Sequence, residues 1–247
     1  MIKRTDPKEL DELTVEWDNV CEQRQELISS GADVSLTMVT VPYIIDKLKR
    51  KDKLRVLDVG CGTGYLTNQI SEAGNTCIGI DSSKKSIQIA KSNYKRQGLS
   101  FKVCNAKSYN SSYLFDVCVA NMVLMDDPEW IKSIANIYRL LKSGGYFIST
   151  ITHPWFWPRY WGYEDEAWFE YDKEIFIECP FVTTFSDVLG TTTHIHRPLS
   201  SYINGLRSEG FSIECIDELL PNVSMPKEYE TRYPKFLAFI CRKDETR

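Results

Sequence analysis

No two cysteines in this chain stand in a Cys-x-x-Cys pair; the eight are scattered at 21, 61, 77, 104, 118, 179, 215 and 241. Such spacing offers neither a zinc cluster nor a disulfide framework, and several fall in apolar runs, so they read as reduced core thiols. No apolar run approaches the length needed to span a bilayer, and Met1 to Pro7 lacks the apolar segment of a secretion signal. The expectation is a soluble, cytoplasmic protein with no membrane partner. An excess of positive charge is missing too: 30 Lys and Arg against 34 Asp and Glu give a net charge of -4. Holding nucleic acid requires phosphate neutralisation, so nucleic acid is not the expected partner. One basic cluster, residues 47 to 55, reads as a solvated helix end whose cations complement the C-terminal dipole. Internal repeats and low-complexity tracts are also absent.

What is present centres on residues 54 to 65, Leu-Arg-Val-Leu-Asp-Val-Gly-Cys-Gly-Thr-Gly-Tyr. An apolar run meets three glycines at 60, 62 and 64, and an amphipathic pattern with Leu66 and Ile70 on one face follows. This predicts a strand, a tight turn and a helix start. Exposed N–H groups there favour an anionic or nucleotide-like ligand lying against the backbone. The dinucleotide fingerprint fails because position 65 is Tyr, and a P-loop fails because no Gly-Lys-Ser/Thr follows. Downstream, Thr76 to Ile80 reads as a buried strand ending in Asp81, placed to accept both hydroxyls of a ribose.

The set Asp58-x-Gly60-x-Gly62-x-Gly64 with Asp81 resembles the opening motifs of the class I S-adenosylmethionine-dependent methyltransferases. The resemblance implies a doubly wound α/β fold with a seven-stranded, mostly parallel, Rossmann-like sheet whose last strand is antiparallel. It further implies S-adenosyl-L-methionine as cofactor, held by Asp58, Gly60, Cys61, Gly62, Gly64, Asp81 and Ser82, by Asn105 and Ala106 at the adenine, and by Asn121 and Met122 near the sulfur. Asn105 departs from the family's usual Asp; its side-chain oxygen can still accept from an amine, and an Asx turn is the competing reading. The Asn-Met-Val-Leu after the fourth strand differs from the Asn/Asp-Pro-Pro-Tyr/Phe of nucleic-acid amino-methylating relatives.

One domain is expected. Residues 1–53 form a helical cover over the cofactor site, with Trp17 a core anchor and a helix starting at Pro42 capped by Thr40 or Val41. Residues 54–151 form the cofactor-binding core, where strand and helix alternate. In it, a helix from Ser83 to Gln97 ends at Gly98, and Asp127 before Pro128 caps a helix running to Leu141. Residues 152–197 break the alternation with eleven aromatics between Trp155 and Phe181, and read as a long irregular, substrate-binding insertion forming a lid. A satellite hydrophobic cluster or the face of a homodimer is the alternative. Residues 198–247 supply a helix, 198 to 208, and the last two strands.

Methyl transfer needs alignment, exclusion of water and a group to take the acceptor's proton. All three histidines, His153, His194 and His196, fall in or at the edge of the insertion. His153 follows a strand at its carboxyl edge and is the candidate general base. Alternation puts His194 and His196 on one face, where they line the acceptor pocket with Trp157 and Trp161, and Arg197 meets a carboxylate or phosphate. No carboxylate spacing supports a metal site. The expected activity is O- or N-methylation of a small-molecule acceptor; the rivals are RNA or protein methylation and a non-catalytic cofactor-binding subunit.

Overall fold

The computed structural model describes residues 1–49, 53–183, 186–220 and 233–244. Most of the basic cluster is thus described, but residues 50–52 lie outside, as does most of the polar stretch after Leu220. The centre is a seven-stranded sheet ordered β4-β3-β2-β5-β6-β10-β9. Its members are β2 (Arg55–Val59), β3 (Thr76–Asp81), β4 (Leu99–Val103), β5 (Phe115–Asn121), β6 (Leu141–Thr152), β9 (Phe211–Leu219) and β10 (Phe236–Lys243). Only β10 runs antiparallel to its neighbours. This is the Rossmann-like arrangement the alternating pattern implies.

Period-two alternation sends successive residues of the central strands to opposite faces. Leu57, Val59, Cys118, Ala120 and Phe147 pack beneath α5 (Trp130–Leu140) and α7 (Leu199–Ser208). Val56, Val117, Val119 and Ile148 pack on the other face against α2 (Val41–Leu48) and α3 (Tyr65–Glu72). Both faces being covered, these strands read as continuous apolar runs.

The flanks differ from expectation in several places. The helix after β3, α4, spans Lys84–Asn93 and is capped by Ser83, whose hydroxyl accepts from Ser86 N–H. It stops short of Gln97 because Tyr94 takes extended backbone; Gly98, in the left-handed region, serves the turn into β4. Thr40 does not cap α2: a π-helical turn, Ser35–Thr40, runs straight into it and buries Thr40. Asp127 lies ahead of α5, where its carboxylate accepts from Glu129 N–H and Ser133 Oγ.

The insertion is not irregular. After a short helix, α6 (Trp157–Trp161), the strands β7 (Ile175–Phe181) and β8 (Gly190–His196) form an antiparallel pair. An unexpected strand at the start of the chain, β1 (Lys3–Thr5), adds to β7 and completes a second, three-stranded sheet. The long helix α1 (Leu10–Ser30) is tied to this sheet: Lys8 Nζ reaches Glu16, Glu178 and Thr193, and Glu16 accepts from Thr193 N–H at 2.7 Å. Thus α1 and the second sheet make one cover over the carboxyl edge of the first sheet. No single helix among the described residues is long and apolar enough to cross a membrane.

Candidate active site

At the carboxyl ends of β2 and β3 the backbone turns sharply. Gly60 takes φ 65°, and a Cβ there would lie 2.4 Å from a methyl of Val123, so only glycine fits. Gly64 begins α3 in the left-handed region, with Phe101 and Ala90 within 3 Å of where a Cβ would stand. It is a packing glycine and does not line the cleft, unlike Gly60, Cys61 and Gly62.

Asp81, at the end of β3, accepts from Gly62 N–H at 2.8 Å through one oxygen and from Ser83 N–H at 2.8 Å through the other. Asp58 accepts from Thr67 Oγ1 at 2.6 Å and is otherwise cut off from water. These groups border a cleft of about 170 Å³. Ser82, Asn105, Ala106, Asn121 and Met122 also line it, and α1 roofs it with Thr14, Trp17 and Arg24. Ser82 Oγ hydrogen-bonds Thr14 Oγ1. Asn105 Oδ1 accepts from Lys107 N–H at 3.0 Å, the Asx arrangement, while the residue still borders the cleft. Asn121 Oδ1 takes the Thr150 hydroxyl, and Met122 has φ 59°, a conformation non-glycine residues rarely adopt outside functional turns.

A second cavity of about 130 Å³ opens alongside. Trp17, Arg24, Leu36, Met122 and Asp126 line both. Its other walls include Trp157, Trp161, Phe181 and His194. Three buried polar atoms on this wall, Thr40 Oγ1, Trp157 Nε1 and Thr183 Oγ1, have no hydrogen-bond partner among the described residues. Each of the three atoms is enclosed by neighbouring protein atoms and does not open onto the cavity.

The histidines divide. His194 borders the second cavity, its Nε2 3.1 Å from Tyr163 Oη and its Nδ1 beside Cys179; burial drives its pKa down to about 3, so the ring is neutral. His196 points away from this cavity and bonds the Tyr171 carbonyl. His153 lines neither large cavity. Its Nδ1 accepts from the Trp155 and Phe156 N–H groups and its Nε2 faces Glu218, so it braces the turn into α6. That geometry leaves no nitrogen for an acceptor's proton, against the general-base expectation. Arg197 is likewise taken up by the protein itself. It is 1% exposed, donates to the Leu124 and Asp127 carbonyls at 2.8 and 3.0 Å, and pairs with Glu174.

Arg197 thereby grips both ends of the 3-10 turn Leu124–Asp126 that follows β5. That turn presents Asp126 where the two cavities meet. Sequence reading missed Asp126, as it missed the cavity-lining role of Trp17 and Arg24. Arg24 sits against the faces of Trp17 and Phe181 and bonds Asp33.

Burial raises the carboxyl of Asp58 to about 7 and that of Asp126 to about 8, and raises Asp81 as well. A cleft bordered by carboxyls that resist ionisation gains most from a cationic ligand, which relieves them. The methyltransferase domain family matches residues 50–175, just over half of the chain. The chain belongs to that family. Its cofactor is S-adenosylmethionine, whose sulfonium supplies such a cation and an electrophilic methyl group. The residues fit: donors and an acid at the Gly-rich turn, Asp81 at the strand end and a raised-pKa carboxyl where the cavities join.

Among curated relatives, the ubiquinone biosynthesis O-methyltransferase of Pelagibacter ubique is 34% identical over 113 residues, covering 42% of this chain and 47% of that protein. The chain spans about half the length of the curated relatives it matches. Among solved structures, an S-adenosylmethionine-dependent methyltransferase from Mesorhizobium loti superposes with TM-score 0.63 at 23% identity, covering 81% of this chain and 96% of that one. The 1,6-didemethyltoxoflavin N1-methyltransferase of Burkholderia thailandensis, solved with its substrate and S-adenosylhomocysteine, gives 0.61 at 16% identity, covering 99% and 95%. These likenesses establish the fold of the methyltransferase.

Proposed function

We propose that this methyltransferase transfers the methyl group of S-adenosylmethionine to a hydroxyl of a small, flat molecule seated in the second cavity. The observation that carries the reading is the junction: a cavity with an aromatic wall and several polar side chains adjoins the cofactor cleft at the carboxyl edge of the sheet, across Trp17, Met122 and Asp126. Ligands of open α/β sheets collect at that edge. The walls Trp157, Trp161 and Phe181 suit a ring. The choice of oxygen over nitrogen as methyl acceptor leans on the O-methyltransferases among the relatives.

Methyl transfer is an in-line displacement that asks the protein mainly to align two partners and exclude water. Asp81 and the Gly60–Gly62 turn fix one partner, the aromatic wall fixes the other, and α1 with the second sheet shuts out solvent. Calorimetric titration with S-adenosylmethionine and S-adenosylhomocysteine, with NAD as control, tests the cofactor half. The expected outcome is micromolar binding that Asp81→Ala weakens at least tenfold. Transfer of radiolabelled methyl to a panel of phenols and aryl amines tests the acceptor half. Labelling of RNA or protein in place of small molecules would overturn it, and binding without transfer to any acceptor would favour a non-catalytic subunit.

A further inference from the structure

We propose that Asp126 is the proton acceptor of the reaction, held at the junction of the two cavities by the buried guanidinium of Arg197. The inference rests on the acceptor site assigned above.

Four observations converge on this carboxyl. It belongs to both linings, so a group in the acceptor cavity and a methyl in the cofactor cleft are both its neighbours. It makes no side-chain hydrogen bond to the described residues, in contrast to Asp127, which is consumed by Glu129 N–H and Ser133 Oγ. Its position is fixed from behind: Arg197 bonds the Leu124 and Asp127 carbonyls on either side, leaving the side chain free to face the cavity. Lastly, no histidine competes. His153 and His196 are turned elsewhere, and His194 is engaged by Tyr163 and kept neutral with a pKa far below working pH.

The charged groups facing Asp126 are Arg24 and Glu16 from α1, Arg197 beyond β8, and Asp127 beside it; Cys179 of β7 and Tyr202 of α7 also face it and, each pushed up to about 12 by burial, stay neutral. The two arginines lower its pKa, the two acids raise it, and burial outweighs all four, which leaves the carboxyl at about 8. Proton transfer is most effective when the base's pKa lies near the operating pH. In the step, Asp126 takes the O–H proton as the acceptor oxygen bonds the methyl carbon; the carbon–sulfur bond breaks and its electron pair stays on sulfur. The proton then passes to solvent when product leaves.

The test uses the full chain, catechol as probe acceptor and Asp126→Asn, which keeps the shape of the side chain. In single turnover, the wild-type rate should rise with unit slope up to about pH 8 and then level. The variant should be slower by about 100-fold or more and lose that slope, while binding S-adenosylhomocysteine within a few-fold of wild type. Retention of both rate and slope by the variant overturns the proposal. Carbon-13 spectra of the labelled carboxyls give a second readout that needs no turnover. A resonance that titrates near 8, vanishes in Asp126→Asn and shifts when catechol is added to the S-adenosylhomocysteine complex supports it. Absence of that shift overturns it. Failure of S-adenosylhomocysteine to bind the wild type is a separate outcome: it removes the cofactor reading, and with it the reaction in which Asp126 would act.

Discussion

A carboxyl group at the end of a buried strand has surrendered its water before any ligand arrives. Asp58 is in that position, with one hydroxyl, that of Thr67, in place of a hydration shell. Its pKa of about 7, against an ordinary 3.8, means that the folded chain binds a proton that the unfolded chain has already lost. Stability from such a group is complete below the ordinary value and is lost as pH rises through 7. Asp126 extends the same trend to about 8. The lowered histidines, His153, His194 and His196, act in the opposite direction, but only up to their unfolded value near 6.5. Between pH 6.5 and 8, therefore, the ligand-free protein should melt at progressively lower temperature, and Asp58→Asn should flatten the lower half of that decline. Calorimetric melting across this range checks it; a rising melting temperature would contradict it. The same carboxyls make S-adenosylmethionine, with its sulfonium, bind more tightly as pH rises, and more steeply than S-adenosylhomocysteine does.

At the scale of elements, the turn between β5 and α5 shows what the sequence discloses and what it hides. The strands β2, β3 and β5 are plain in the sequence because burial on both faces makes each a nearly unbroken apolar run, and the glycines at 60, 62 and 64 mark the turn that follows. Asp126 and Asp127 are another matter. Both are acids before a proline, and nothing local distinguishes them; only a 3-10 turn held by Arg197, seventy residues away, sends one to the cavity and the other to the start of α5. The second sheet was obscured for a related reason. β1 is three polar residues, Lys-Arg-Thr, without a strand signature; β7 has strand-forming Ile175, Phe176 and Ile177 but is interrupted by Pro180, and its pairing with β1 is long-range. Arg197→Met should thus act at a distance. Two buried carbonyls lose their donor and Glu174 its partner, costing about 3 kcal/mol of stability. Turnover should fall at least tenfold while affinity for S-adenosylhomocysteine changes little. A loss confined to cofactor binding would show that Arg197 supports the Gly-rich side of the site instead.

For the molecule as a whole, the parallel sheet carries Asp58, Asp81 and Asp126, but the space in which they act is enclosed by a cover built from the two ends of the chain's first two hundred residues. The cover is joined at Lys8, whose ammonium meets Glu16 at 2.5 Å, Glu178 at 3.2 Å and Thr193 Oγ1 at 2.8 Å. Glu16 then reaches the β8 backbone at Thr193, and the next residue of α1, Trp17, meets Phe181 edge to face. A half-buried charge cluster of this kind is stronger than a surface pair and still open to screening. Since Trp17 and Arg24 line both cavities, loosening α1 must weaken both sites together. Lys8→Ala should therefore lower affinity for S-adenosylhomocysteine and raise KM for the acceptor by similar factors of about three to ten, and added salt should do the same to the wild type but not to the variant. Among the described residues, α1 enters the core of the main sheet at Ile28 and is otherwise tied to it by hydrogen bonds to Ser82, Ser83 and Lys85, so the variant should also lower the melting temperature. Calorimetric titration and initial rates at 0.05 and 0.5 M salt, between which the Debye length falls from roughly 14 to roughly 4 Å, measure both effects. If only the acceptor constant moved, the second sheet would be a lid independent of α1, and Trp17 would owe its position to the cofactor cleft alone.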